Sequence, residues 1–121
     1  MKFTRELATS LSIRRVTDDG FVIGEDSYDG AVALTGERVL DDWPQTAIAD
    51  LVEDHFAPLL SGEIEVILLG TGTSNIFPPR ELVFAMARRG VGFEVMDTRA
   101  AARTFNVLAG EGRRVAAVLY L

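Results

Sequence analysis

Apolar and polar positions follow two different periods along this chain, and the change falls near residue 44. Before it, Leu11, Ile13 and Val16 sit in a strand-like run, and Asp18-Asp19-Gly20 supplies a turn with a residue tolerant of positive φ. Phe21-Val22-Ile23 makes a second short run, closed by Gly24. Tyr28-Asp29-Gly30 turns the chain into Ala31-Val32-Ala33-Leu34, Thr35-Gly36 ends that run, and Arg38-Val39-Leu40 makes another brief strand. Short strands joined by Asp-Gly turns predict an antiparallel meander.

After Asp41-Asp42-Trp43-Pro44 the apolar residues Ile48, Leu51, Val52, Phe56 and Leu59 recur at helical spacing, which predicts a helix that Pro58 ends or disturbs. Ile64 and Val66-Ile67-Leu68-Leu69 read as a buried strand running into Gly70. Pro78-Pro79-Arg80-Glu81 opens a helix that Arg88-Arg89-Gly90 closes, with charges suited to a carboxyl end and a glycine suited to the cap. Val91, Phe93, Val95 and Met96 form the next strand. Asp97 or Thr98 caps a helix through about Ala109, and residues 115–121 form the last strand. The second half therefore reads β-α-β-α-β. The expected fold is a three-layer α/β domain with a central mixed sheet and an N-terminal antiparallel β-layer.

Length and composition narrow this. The 121 residues fit one domain spanning 1–121 and bury enough surface to need no disulfide or metal staple. There is no cysteine, which excludes thiol nucleophiles, disulfides and zinc thiolates. The net charge of −6 argues against nucleic acid or an anionic membrane as the partner. The longest apolar run, residues 115–121, is far below the ~18 residues of a membrane span, and no signal-like h-region follows Met1. The expectation is a cytoplasmic protein without direct membrane insertion, from a GC-rich bacterium given eleven arginines to one lysine. The charge is also uneven: residues 18–54 hold eleven acids against Arg38 alone, whereas residues 76–121 hold seven arginines against four acids. The acids solvate turns and one face, or steer a basic partner.

Candidate chemistry is sparse. Gly70-Thr71-Gly72-Thr73-Ser74-Asn75 follows a strand, as a phosphate-cradling loop would. Yet Asn75 stands where the third glycine belongs, and Pro78-Pro79 puts the helix start too far on, so a tight strand-exit turn is the preferred reading. His55 is the one histidine, and its neighbours Glu53 and Asp54 face other directions on a helix, so it reads as a half-buried helical residue rather than a metal ligand. Residues 25–30 lack the distal Glu of an EF-hand loop. No catalytic, metal or cofactor set emerges.

Residues 96–113 are the most informative. Ala101, Phe105, Leu108 and Ala109 make one apolar helix face, Arg99, Arg103 and Asn106 another, and the alanines at 100, 101, 102 and 109 leave room for close approach to a sheet. Asn106 is a mediocre helix former, so its interior position calls for a partner or water at its amide. If the strands before Gly70 and Asp97 are parallel neighbours, their carboxyl ends bring Gly70, Thr71 and Gly72 beside Met96, Thr98 and Arg99, where open α/β sheets place ligands. Arg99 or Arg113 then suits an anionic group. More simply, Glu111 and Arg113 pair to fix a turn.

The pattern Met96-x-Thr98, Ala100-Ala101, Thr104-x-Asn106-x-Leu108 and Glu111-x-Arg113-x-Val115-x-Ala117, with Gly70-Thr71-Gly72, Trp43 and Tyr28-x-Gly30 upstream, resembles the small-domain family of the mitochondrial respiratory complex I assembly factor 3 and the adipogenesis-associated domain proteins. The resemblance implies a three-layer fold, no established catalytic residues, and a role exerted through protein contacts. It also marks departures: Ala102 stands where members often carry cysteine and Phe105 where they carry tyrosine, and the mitochondrial address does not carry over. Two functions follow. The first is a non-enzymatic accessory domain that binds an unidentified protein partner. The other is a small-molecule-binding domain or enzyme, taking a small anionic ligand between the loop of residues 70–75 and the start of the Asp97 helix.

Overall fold

The computed structural model describes residues 11–121, so the first ten residues of the expected single domain, with Lys2 and Arg5, lie outside it. Eight strands and three helices follow in the order β1 (Ile13–Val16), β2 (Phe21–Ile23), β3 (Asp26–Tyr28), β4 (Val32–Thr35), β5 (Val39–Leu40), α1 (Ala57–Leu60), β6 (Val66–Thr71), α2 (Arg80–Arg88), β7 (Gly92–Met96), α3 (Thr98–Gly110) and β8 (Val115–Tyr120). The domain is mixed α/β, as the alternation implies. Strands β1-β2-β3 form a small antiparallel sheet, and β5-β4-β8-β6-β7 form the central mixed sheet.

Strand β6 pairs parallel with β7 on one side and with β8 on the other, while β4 meets β8 antiparallel. The crossover from β6 through α2 to β7 and the one from β7 through α3 back past β6 to β8 run in opposite directions across the sheet, so, both being right-handed, they place their helices on opposite faces. The burial pattern shows that placement. Ile67, Leu69, Ala33, Ala116 and Val118 face a core completed by Leu82 and Met86 of α2 with Trp43, Leu51, Phe56 and Leu59. The alternate residues Leu68, Val32, Leu34, Val115, Ala117 and Leu119 face α3 and the small sheet, through Ala101, Phe105, Ile13, Phe21 and Ile23. Both faces being covered explains why β8 is apolar without alternation.

Two expectations need correction. Residues 44–59 are not one helix. They form 3₁₀ turns at Ile48–Asp50 and Glu53–Phe56 and then the single turn α1, with Leu51 and Val52 extended between the first two. Pro58 has no N–H to donate into a continuous helix, and it sits instead in the first turn of α1, where such a donor would be unpaired anyway. Ile48, Leu51, Phe56 and Leu59 are buried nonetheless, so helical spacing here records one-sided burial rather than a helix. The second correction concerns the residues before the Tyr28-Asp29-Gly30 turn, to which the pattern assigns no strand: Asp26-Ser27-Tyr28 is the strand β3, paired with β2 from Phe21↔Tyr28 to Ile23↔Asp26.

Two side-chain amides each pair with both polar groups of one backbone residue, as a neighbouring strand would. Asn106 of α3 accepts from the Ile13 N–H at 2.8 Å and donates to the Ile13 carbonyl at 2.9 Å. That is the partner its place in the helix called for. Gln45 does the same for Ala31, at 2.9 and 3.0 Å, and donates to the Trp43 carbonyl as well. Replacing Asn106 with Ala removes the tie between the small sheet and α3. We expect a loss of about 1–3 kcal/mol in chemical denaturation, slightly offset by the better helix propensity of alanine, with faster amide exchange at Ile13.

Candidate functional site

The carboxyl ends of β6 and β7 do lie side by side, with Gly70 opposite Met96. Asp97 caps α3, its carboxylate accepting from the Ala100 N–H at 2.9 Å. The next residue, Thr98, points into the protein and is 2% exposed. Its hydroxyl accepts from the Gly72 N–H at 2.7 Å and donates to the Tyr120 carbonyl at 2.6 Å, while its own N–H donates to the Gly72 carbonyl at 2.9 Å. Thr71, also buried, donates its hydroxyl to the Ser74 carbonyl at 2.6 Å and lies 3.3 Å from the Met96 carbonyl. Three segments, the β6 exit, the α3 start and the β8 end, are thus joined by two threonines.

The glycines make this closeness possible. A Cβ on Gly70 would lie 2.9 Å from the Thr98 hydroxyl and 3.2 Å from Ala101 Cβ. Gly72 has φ +82°, and a Cβ there would lie 2.7 Å from the Leu121 carbonyl. The turn at residues 70–75 is therefore a tight strand exit whose inner amide is already bonded to protein. Beside it remains a cleft of 170 Å³ lined by Asp18, Thr73, Thr98, Arg99 and Tyr120 among others. Pockets that take small molecules usually enclose about 300–1,000 Å³.

The structure brings Gly70, Thr71, Gly72, Met96 and Thr98 together, with exposed Arg99 at the rim. Asn106 is two turns further along α3, engaged with Ile13. Arg113 is elsewhere: it precedes Val115, at the opposite end of β8 from Tyr120, roughly 17 Å away along the strand. There it pairs with Glu65 at 3.0 Å, not with Glu111, and Arg114 pairs with Glu63 at 3.2 Å. The hydrogen bonds from Arg113 and from the Arg114 N–H hold the Glu65 carboxyl below its ordinary range. Glu63, Arg113 and Arg114, with Arg38, border a cleft of 380 Å³ between the loops at that end of the sheet. His55 is half-buried, with Nδ1 accepting from the Val52 N–H at 3.0 Å, and no group of acids or histidines among the described residues could hold a metal ion.

The surface that sequence reasoning passed over is the outer side of α2. Leu82, Ala85 and Met86 turn inward, while Val83 and Phe84 face solvent, Phe84 at 54% exposure. Ile76 and Phe77, in the loop before the helix, are also exposed, Phe77 at 79%. The apolar run 82–87 carried the signal, since a nine-residue helix cannot hide both sides against one sheet.

Thr98→Val keeps the shape of the side chain but orphans the Gly72 N–H and the Tyr120 carbonyl. We expect a loss of about 1–3 kcal/mol for each buried group left unpaired, most of it recovered by Thr98→Ser, both read by urea denaturation. Tyr120 gives a pH signature. Its hydroxyl donates to the Thr46 carbonyl at 2.7 Å, and burial raises its pKa above the ordinary 10.0, the hydrogen bond from Trp43 opposing. Tyr28 is raised too, by burial and then by Asp26 and Asp41. Groups with raised folded values stabilise fully below pH 10 and lose that contribution as pH climbs through the folded pKa. The absorbance titration of both tyrosines should thus lie above that of the unfolded chain, with stability falling in the same range and Tyr120→Phe making the fall shallower.

The chain is similar to proteins from bacteria and animals. It is 35% identical over 117 residues, 95% of its length, to the human NADH dehydrogenase (ubiquinone) 1 alpha subcomplex assembly factor 3, of which it spans 63%. It is 27% identical to the 13 kDa major membrane protein of Francisella tularensis, over 82% of this chain and 81% of that one. A Bordetella parapertussis protein of known crystal structure superposes with a TM-score of 0.84 at 32% identity, covering 93% of this chain and 96% of that one. Residues 13–120 match the family model described as protein of unknown function (DUF498/DUF598), and with the assembly factor relatives this shows the chain to be a member of that family.

Proposed function

We propose that this domain is a non-enzymatic accessory protein that acts by holding another protein, in the manner of an assembly factor. The observation that carries the reading is the exposed apolar surface of Phe77, Val83 and Phe84, side chains that folding leaves in water and that a docked protein would bury. The name of the human relative, an assembly factor, supports the same direction. The crevice at the ends of β6 and β7 argues against the alternative of a small anionic ligand, because protein groups occupy most of it and the cleft left over is small. A cytoplasmic location goes with this reading. No helix among the described residues is long and apolar enough to cross a membrane, while the Francisella relative is named a membrane protein, so cell fractionation is the direct check.

The decisive experiment is affinity capture from the native cell with three forms of the chain: unmodified, Phe77→Ser/Phe84→Ser, and Val107→Ser as a control on the exposed side of α3. The unmodified and control forms should retain a common protein partner, and the α2 variant should lose it by about ten-fold or more, as expected when anchoring aromatics are removed from an interface. Capture of nothing above a charge-matched control, or equal capture by the α2 variant, would refute the proposal.

A further inference from the structure

Resting on that reading, we infer that the partner element received by α2 is an acidic amphipathic helix. Arg80, Phe84 and Arg88 recur every four residues, so they share one stripe of the helix, with the aromatic ring midway between two guanidinium groups about 12 Å apart along the axis. All three are exposed. Val83 and Ala87 form the adjoining row, again four residues apart, and the small Ala87 leaves a notch beside the Phe84 ridge. Ridge and notch at helical spacing are what a second helix packs against. Ile76 and Phe77 add apolar surface just before the first turn.

The charges select the sign. Among the described residues neither Arg80 nor Arg88 has a carboxylate within ion-pair reach, whereas Arg89, at the end of the same helix, is already engaged by Glu53. Glu81 lies about 100° round from Arg80, on the flank rather than between the two arginines. A partner that covered Phe84 with uncharged surface would strip water from two cations without replacing it. Carboxylates eight positions apart on a facing helix, with apolar residues between them, supply that replacement and fix the register. An anionic bilayer fits less well, since the chain as a whole carries −6 and, among the described residues, the stripe presents two unpaired cations.

The test uses the whole chain, labelled with nitrogen-15, and two synthetic amphipathic helical peptides of about five turns. One carries leucines along one side flanked by glutamates eight positions apart, and the other has lysine at each glutamate. Amide shifts should move at Ile76, Phe77, Arg80, Val83, Phe84 and Arg88 with the glutamate peptide, which should bind at least about ten-fold more tightly than the lysine peptide. Arg80→Glu/Arg88→Glu should reverse that order, and Phe84→Ser should weaken both. These residues are exposed, so the variants should keep the parent's circular dichroism and melting temperature. The inference is overturned if neither peptide binds, if both bind alike, or if the footprint lies elsewhere. It is equally overturned if the same substitutions abolish binding to phosphatidylglycerol–phosphatidylcholine vesicles, or self-association in sedimentation, in place of peptide binding. A footprint on α2 without charge preference removes the acidic partner alone and leaves protein docking standing, because docking is judged separately by the capture experiment.

Discussion

One hydroxyl group closes this fold. Thr98 sits at the first position of α3, yet its Oγ1 reaches the exit of β6 through Gly72 and the end of β8 through Tyr120. A buried hydroxyl that both accepts and donates is directional, so it sets where the three segments stand relative to one another. The close fit of α3 against β6 depends on the same spot, because Gly70 leaves room for Thr98 and Ala101. Where a dinucleotide fold would keep a glycine-rich turn open for a phosphate, this domain uses the turn to bind itself.

That choice divides the molecule into a finished side and an unfinished one. The α3 side is covered by the small sheet, held through the Asn106 amide, and Val107 is the large apolar residue that α3 leaves exposed. On the other side α2 seals the sheet with Leu82 and Met86 but leaves Phe84 and Val83 outward. Further round that core, Trp43 packs edge-on against Phe56, and Phe56 against Phe93, with centroids 5.2 and 5.9 Å apart, so the aromatic weight there is spent inside. The solvent-facing aromatics of residues 77 and 84 are therefore not spillover from a crowded core. They belong to a separate surface.

Much of the scaffold was legible from residue patterns, and the exceptions are instructive. Helix α3 was plain from the Asp97 cap and the spacing of Ala101, Phe105 and Ala109; β6 and β8 were plain as unbroken apolar runs. Strand β3 was hidden because Asp26-Ser27-Tyr28 pairs on one edge only and buries little, so no alternation marks it. The stretch around Leu51 misled because turns and helices can bury the same spacing of side chains. Among the candidate site residues, neighbours in register at strand ends were predictable from topology, which is why Gly72 and Thr98 were found together. Arg113 was misplaced although chain order was enough to place it: a residue that precedes a strand parallel to β6 lies at that strand's amino end, opposite the carboxyl ends where Gly70 and Thr98 meet. Gln45 gave no signal at all, for an exposed glutamine in a turn looks the same whether or not its amide clasps a strand.

The position of β8 carries a consequence for how the molecule comes into being. This strand comes last in sequence among those described and is central in the five-stranded sheet, with β4 on one flank and β6 on the other. Without residues 115–120, β4-β5 and β6-β7 would have no ladder between them, and β4 and β6 would each have one unpaired edge. Pairing β8 with β4 joins residues some eighty positions apart, and contacts of such long sequence separation are of the kind that slow folding. The central sheet is thus one ladder only through its middle strand.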